Sequence, residues 1–279
     1  MANATRPDIG AVASLWRYPV KSMMGEELNA TEVTERGLLG DRVYALVDSS
    51  DEKIATAKNP RKWPNLFDFR ASFIESPRIS ANVPPVRITL PDGTITTTQQ
   101  SDANQILSKA LNRMVTLKTT ESGHGGSANA EEYWPDMEGL DHRDTVTDFA
   151  LPESTFFDCA TVHLVTTATL DRLRELYPKG HFEVRRFRPN IVVKPTLAEN
   201  NFVENDWIGQ TLAIGDKVRL SITGPCGRCV MTTLAQGDLP KESGILRTAV
   251  QHNQGHVGVY ATVVRSGTIR RGDQLTLGA

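Results

Sequence analysis

The amino-acid sequence predicts an α+β, β-rich protein whose strands form barrel-like sheets. Short runs rich in β-branched and aromatic residues recur along most of the 279 residues, and Gly, Pro or charged residues separate them. Gly-Asp pairs at Gly215 and Gly272 each precede an alternating strand, which indicates tight turns between short strands and not helical crossovers. Neither GxxxxGK[ST] nor GxGxxG occurs in the chain. The nucleotide-binding α/β folds are therefore disfavoured.

The first half of the chain is predicted to consist mostly of strands. Asp92-Gly93 supplies the positive φ that a tight hairpin between two of them requires. A helix follows, which Ser101 or Asp102 caps, and its apolar residues recur at helical spacing until the apolar run at 114–117. The predicted strands are 9–16, 28–33, 42–47, 67–74, 86–90 and 94–98.

A small, polar, Gly-rich segment at 119–130 has the composition of a linker. It predicts an N-terminal domain of residues 1–125 and a C-terminal domain of residues 126–279. In the second domain, Thr166 or Thr167 caps a predicted helix that runs through Tyr177 and ends at Pro178. The predicted strands of this domain are 160–165, 191–193, 218–222, 229–233, 257–264 and 275–277.

Composition narrows the class of partner. The formal net charge is -2, so no global field attracts nucleic acid or an anionic membrane. No segment approaches about 18 consecutive apolar residues, and the N-terminus lacks a signal-peptide pattern. The 3 cysteines are too few for a disulfide framework. We expect a soluble cytoplasmic protein that binds neither nucleic acid nor membrane.

The sharpest local signal is PCGRC, with Cys226 and Cys229. Such a pair is half of a zinc site, a redox dithiol, the source of one metal-bound or reactive thiolate, or two inert buried thiols. Zinc is disfavoured because only Cys159 and scattered His remain as ligands. A redox dithiol should open a helix, whereas the residues after Cys229 are predicted to form a strand. Arg228 is expected to favour a thiolate at Cys229.

Two further patterns offer cations at strand ends. YPVKS places Lys21 and Ser22 directly after the first strand, where they suit an anion or form an ordinary solvated surface. The run RRFRPN at 185–190 precedes another strand, and it is either a bidentate anion clamp or a solvated basic loop. Arg42, Lys58 and Arg61 add candidate cations in the first half.

In combination these motifs resemble the MOSC family, named for the C-terminal domain of molybdenum cofactor sulfurase. The resemblance covers nearly the whole chain and is greatest to the amidoxime-reducing components and their bacterial relatives. It depends on YPVKS at 18–22, GLLGDR at 37–42, ATAKNPR at 55–61, FFDCATVHLVTTATL at 156–170, RFRPNIVV at 186–193, W..Q.L.IGD at 207–216, PCGRCVMTT at 225–233 and GVYATVVRSGTIRRGDQL at 258–275.

The resemblance implies a MOSC β-barrel fold with an N-terminal β-barrel-like domain, and a molybdenum–molybdopterin cofactor in the cleft between them. Cys229 matches the molybdenum ligand, and Asp158 matches an acidic residue near the metal that could move a proton. Cys226 and Arg228 belong to the same motif and shape its turn. The cofactor contacts match Lys21, Ser22, Arg42, Thr166, Arg188, Asn190 and Arg228. A soft thiolate ligand suits high-valent molybdenum, and the cations suit the cofactor phosphate.

The implied activity is reduction of small N-oxygenated compounds, such as N-hydroxylated bases or amidoximes. No cysteine follows Cys229, so the iron–sulfur domain of some relatives is not expected and a separate electron-donating reductase is. The targeting and anchoring segment of the mitochondrial members is also not expected. The alternatives are a non-redox carrier of molybdenum cofactor or sulfur, and an interaction protein with a remnant cleft. The resemblance also implies pyridoxal phosphate binding, as a property ascribed to the family as a whole.

Overall fold

The computed structural model describes residues 8–79, 82–120, 128–197 and 200–278. The helices are α1 (Ala103–Leu111), α2 (Thr167–Leu176), α3 (Val184–Phe187) and α4 (Ser243–Asn253). The strands are β1 (Asp8–Arg17), β2 (Glu26–Leu28), β3 (Ala30–Thr34), β4 (Gly37–Leu38), β5 (Tyr44–Asp48), β6 (Arg70–Phe73), β7 (Val86–Thr89), β8 (Ile95–Thr97), β9 (Val115–Thr119), β10 (Asn129–Trp134), β11 (Thr145–Ala150), β12 (Val162–Thr166), β13 (Ile191–Pro195), β14 (Thr211–Ile214), β15 (Val218–Gly227), β16 (His256–Arg265), β17 (Gly267–Arg270) and β18 (Gln274–Leu277).

Seven strands close into a β-barrel, which confirms the predicted fold class. They follow one another in the order β13, β12, β16, β15, β14, β18 and β1, and β1 returns to pair with β13. The closing pair is antiparallel, with Val12 opposite Val193. Strand β1 is the first strand of the chain, whereas the other six strands of the barrel come from the second half. The N-terminal segment of the chain therefore completes the barrel. Aliphatic side chains fill the barrel, among them Leu15, Leu164, Leu220 and Val259.

The remainder of the first half forms a second core beside the barrel. The three-stranded sheet β6–β7–β8, the pair β5–β9 and helix α1 enclose it. Val230, Met231 and Leu234, which follow the PCGRC motif, also belong to this core. The motif therefore lies where the barrel meets the second core, and burial of its apolar neighbours fixes its position.

Several element predictions are confirmed by the structure. Leu90 N donates to Thr94 O at 2.8 Å across the turn that contains Gly93, whose φ is 86°. The Thr166 hydroxyl accepts from Thr169 N at 3.1 Å and caps α2. The domain division at 125/126 stays a prediction, because residues 121–127 of the expected linker lie outside the described residues.

The predicted strand at 229–233 is wrong, since Val230–Thr233 form a 3₁₀ turn. Threonine hydroxyls close the turn: Thr232 Oγ1 donates to Cys229 O at 3.0 Å, and Thr233 Oγ1 donates to Val230 O at 2.7 Å. The threonine side chains thus hydrogen-bond to backbone carbonyls within the turn, and these residues do not pair with another strand.

Other differences concern the limits of elements and elements that were not predicted. The predicted strand at 28–33 is divided between β2 and β3, and Arg42 precedes β5 instead of opening it. The hairpin β10–β11 and helix α4 were not predicted from the sequence. Among the described residues, every helix is too short or too polar to cross a membrane.

Candidate functional site

A cleft of about 410 Å³ lies between the barrel and the second core. Its volume is in the range of small-ligand sites. The walls come from the first half, from the hairpin β10–β11 and from the second half of the chain. The polar side chains on its walls are Arg42, Lys58, Glu132, Asp141, Asp158, Cys159, His163, Arg188, Asn190, Arg228, Cys229, Gln254 and Tyr260. The cleft therefore brings together six predicted site residues: Arg42, Asp158, Arg188, Asn190, Arg228 and Cys229.

Three of the predicted cofactor contacts have a strained backbone conformation. Ser22, Arg42 and Arg188 have φ values of 62°, 49° and 52°, in the left-handed region that side chains seldom adopt. Such conformations persist where surrounding bonds over-determine them, and they cluster at functional sites. Here Arg42 N donates to Tyr18 O at 2.8 Å, and Ser22 Oγ accepts from Ala57 N at 3.0 Å.

A buried ion-pair network occupies one side of the cleft. Lys21 Nζ donates to Phe156 O at 2.8 Å and pairs closely with Asp158. Lys58 Nζ lies 3.2 Å from Glu132 and 3.6 Å from Asp158. Burial alone would raise the pKa of the Asp158 carboxyl, but Lys21 and Lys58 outweigh burial and hold that pKa well below its usual range. Asp158 is therefore a carboxylate at neutral pH, with no proton to donate.

Two guanidinium groups of the cleft contact one aromatic ring. Arg42 and Arg188 lie 4.7 and 4.1 Å from the ring centroid of Tyr18. Asp41 pairs with Arg42 and accepts from Asn190 Nδ2 at 2.9 Å. Arg188 Nη1 donates to Met23 O at 2.7 Å. Within the described parts of the chain, no carboxylate lies within ion-pair distance of Arg188. Burial and then Arg42 lower the pKa of Arg188 to about 10, as expected for a buried cation without an ion-pair partner.

The two cysteines of the motif differ in environment. Cys229 is half-buried on the cleft wall, and burial together with Glu132 raises the pKa of its thiol to about 12. Cys226 is fully buried, and Arg228 Nη1 lies 2.8 Å from its Sγ. Arg228 does act to lower the pKa of Cys229, as expected, but burial and Glu132 outweigh it, and the guanidinium itself is directed at Cys226.

Comparison with known proteins identifies the two halves. Residues 9–122 match the family model of the MOSC N-terminal beta barrel domain, and residues 152–276 match that of the MOSC domain. The chain belongs to the MOSC family. Strand β1 falls in the first match and yet completes the barrel of the second, so the two MOSC segments share one fold.

Curated relatives of this MOSC protein are distant. The mitochondrial amidoxime reducing component 2 of Rattus norvegicus is 25% identical over 248 residues, which cover 81% of this chain and 67% of the relative. That of Bos taurus is 26% identical over 250 residues, with the same coverage. Among solved structures, the YUAD protein from Bacillus subtilis covers 98% of this chain and 97% of its own, with a TM-score of 0.49 and 12% identity.

The three arginines that precede β13 separate within the MOSC domain. Arg188 reaches the cleft, whereas Arg185 pairs with the exposed Asp238 at 2.6 Å. Arg186 is fully buried away from the cleft wall and bonds backbone carbonyls and Glu242. Of the two interpretations of this run, an anion clamp suits Arg188 and a solvated basic loop suits Arg185. Arg186 fits neither interpretation.

Three predicted contacts do not line the cleft. Thr166 is fully buried, and its hydroxyl donates to Glu204 Oε2 at 2.7 Å while it caps α2. Lys21 lies beneath Asp158, and the Ser22 hydroxyl holds the backbone of Ala57. The structure thus gives Thr166 a structural position and places Lys21 and Ser22 directly behind the wall.

The polar wall residues that sequence reasoning missed include Glu132, His163 and Tyr260. A lone polar residue in the apolar run VHLVT could have indicated His163. Glu132 lies in the hairpin that was not predicted, so it gave no signal. Among the described residues, no group of three or more His, Cys, Asp or Glu side chains is placed to hold a metal ion by itself.

Proposed function

We propose that this MOSC protein binds a molybdenum–molybdopterin cofactor in the cleft and reduces N-oxygenated compounds there. The observation that carries the proposal is the presence of Arg188, a buried cation without a carboxylate, on the same cleft as the half-buried thiol of Cys229. The cleft thus offers a site for an anion and a soft ligand for a metal. The names of the relatives, amidoxime reducing components, support the reaction class.

The residues present fit this cofactor. A buried guanidinium without a counter-charge is costly, and a phosphate beside Arg188 would remove that cost. Arg42 lies near the same Tyr18 ring and pairs with Asp41, so its guanidinium can add to the binding of an anion at Arg188. The fully buried Nε of Arg228 has no hydrogen-bond partner among the described residues, which leaves a donor available at the wall.

Each residue has a defined task in this proposal. Arg42 and Arg188 bind the phosphate, while Asp158 holds Lys21 and Lys58 in place. Cys229 loses its proton when it binds the metal, because thiolates and not thiols are ligands. The bound molybdenum centre supplies the two electrons that reduce the N–O bond. A separate reductase delivers these electrons.

Turnover tests the proposal. Purified protein from a host that makes the cofactor should contain about one molybdenum and one pterin per chain. It should reduce an amidoxime with reduced viologen as electron donor. Stoichiometric zinc, or no metal after cofactor co-expression, would contradict cofactor binding. Loaded protein that is inactive on N-oxides and hydroxylamines, yet transfers cofactor or sulfur to another apo-enzyme, would instead support the carrier function.

Arg42→Ala and Arg188→Ala should each weaken cofactor retention without unfolding the chain. A charge-assisted hydrogen bond contributes roughly 1.5–3 kcal/mol, so each loss should raise the dissociation constant by about ten- to a hundredfold. Pterin content after extensive dialysis measures retention. The matched control is Arg61→Ala, an exposed arginine that pairs with Asp144 outside the cleft and should leave retention unchanged. Equal retention in all three variants would show that the anion site is elsewhere.

A further inference from the structure

Cys226 has no task in the proposed reaction, yet a charged hydrogen-bond donor lies against its buried sulfur. Arg228 Nη1 lies 2.8 Å from Sγ. The acceptor within reach of a Cys226 S–H is Gly227 O, at the long distance of 4.0 Å. A charged donor at 2.8 Å and a distant acceptor suit a sulfur without a proton, because a neutral thiol is only a weak acceptor.

The charge of Arg228 indicates the same state. Its guanidinium is permanently charged, and no carboxylate of the described residues lies within ion-pair distance of it. The Cys226 sulfur is therefore the counter-charge that the structure offers. The charged and titratable groups around it are Arg228 after β15, His163 on β12, Tyr260 on β16 and, beyond Tyr260, Cys159. Burial alone would raise the pKa of Cys226, but Arg228 and His163 outweigh it and lower this pKa to about 6.

Arg228 joins the turn of the motif to two other parts of the chain. Its Nη2 donates to Phe187 O at 3.0 Å, at the end of α3, and its backbone N donates to Gly255 O at 2.8 Å, just before β16. Cys229 follows directly and makes no side-chain capping bond to its 3₁₀ turn. The direction of the Cys229 thiol thus depends on how firmly the turn at 226–229 is held.

We propose that Cys226 is a thiolate and that its ion pair with Arg228 holds the turn that presents Cys229 to the cleft. Cys226 is then a positioning residue and Cys229 the ligand. The ion pair between Cys226 and Arg228 does not depend on the proposed function. Its role in positioning Cys229 as a metal ligand rests on the proposed function.

Thiolate absorbance in the ultraviolet tests the charge in the full-length, cofactor-free chain. In the Cys159→Ser/Cys229→Ser protein, Cys226 is the remaining thiol. Its absorbance should titrate well below the ordinary midpoint of about 8.5, and adding Arg228→Met should raise the midpoint by at least about one pH unit. A midpoint in the ordinary range, or one that Arg228→Met leaves unchanged, would overturn the ion pair. A merely space-filling Cys226 should titrate at or above the ordinary midpoint, because apolar burial disfavours the thiolate.

Hydrogen exchange tests the positioning, also without cofactor. Peptides that cover residues 226–233 should exchange severalfold faster in Cys226→Ser than in the parent protein, while the exposed-thiol control Cys159→Ser should match the parent. Unchanged exchange in Cys226→Ser would overturn the positioning role. Cofactor content is measured separately: a parent protein without molybdenum overturns the proposed function, but the titration and the exchange rates still decide the ion pair.

Discussion

Cys229→Ala should remove molybdenum from the protein and abolish reduction of amidoximes. Loss of a residue that only supports a metal ligand typically weakens metal affinity about ten- to a hundredfold, so loss of the ligand itself should weaken it more. The fold should survive, because the Cys229 side chain makes no capping bond and is only half-buried. Elemental analysis and viologen-coupled turnover measure the two losses, and circular dichroism checks the fold.

The other two cysteines are matched controls for this substitution. Cys159 is an exposed thiol on the same cleft, and Cys159→Ala should keep both metal and activity. Cys226→Ala removes a positioning residue and should keep a good part of the metal. Equal loss of metal in Cys226→Ala and Cys229→Ala, with both proteins folded, would contradict a single-ligand site and indicate that both sulfurs bind the metal.

Local sequence patterns were sufficient to predict most strands of the barrel. Period-two patterns and turn pairs such as Gly215-Asp216 depend on neighbouring residues, so the sequence contains them directly. The hairpin β10–β11 gave no such signal because its polar residues are matched by distant partners. Lys53 pairs with Glu131 of β10 and Asp148 of β11, and Lys58 pairs with Glu132. These contacts span the chain, and sequence spacing does not reveal them.

In the candidate site, sequence spacing was also insufficient to predict where the arginines that precede β13 would lie. Successive residues of a helical turn point about 100° apart, so neighbouring arginines on α3 face different surroundings. Arg185 reaches the surface, Arg186 the interior and Arg188 the cleft. The motif match correctly placed Arg188 at the cleft. No pattern in the sequence distinguishes which of the other two is buried, because that depends on carbonyl groups about 50 residues further along the chain.

Arg186 holds the segment that follows the PCGRC motif. Its side chain is fully buried and donates to four backbone carbonyls and to Glu242. The carbonyl acceptors are His181 O at 2.8 Å, Thr232 O at 3.2 Å, Leu234 O at 2.9 Å and Pro240 O at 2.7 Å. The planar fork of one guanidinium thus fixes both ends of the segment 232–242 against α3. No shorter or single-donor side chain can satisfy these acceptors together.

Arg186→Met should lower the free energy of unfolding by about 3–5 kcal/mol, because it leaves buried carbonyls without donors and Glu242 without its partner. Arg186→Lys keeps the charge but not the fork, and it should fall between the parent and Arg186→Met. Arg185→Met is the matched control: its pair with the exposed Asp238 is solvated, so it should cost only about 0–1 kcal/mol. Urea denaturation of the cofactor-free proteins measures all three. If Arg186→Met is as stable as Arg185→Met, the buried fork does not hold the segment, and the packing of Val230 and Met231 in the second core is sufficient to place Cys229.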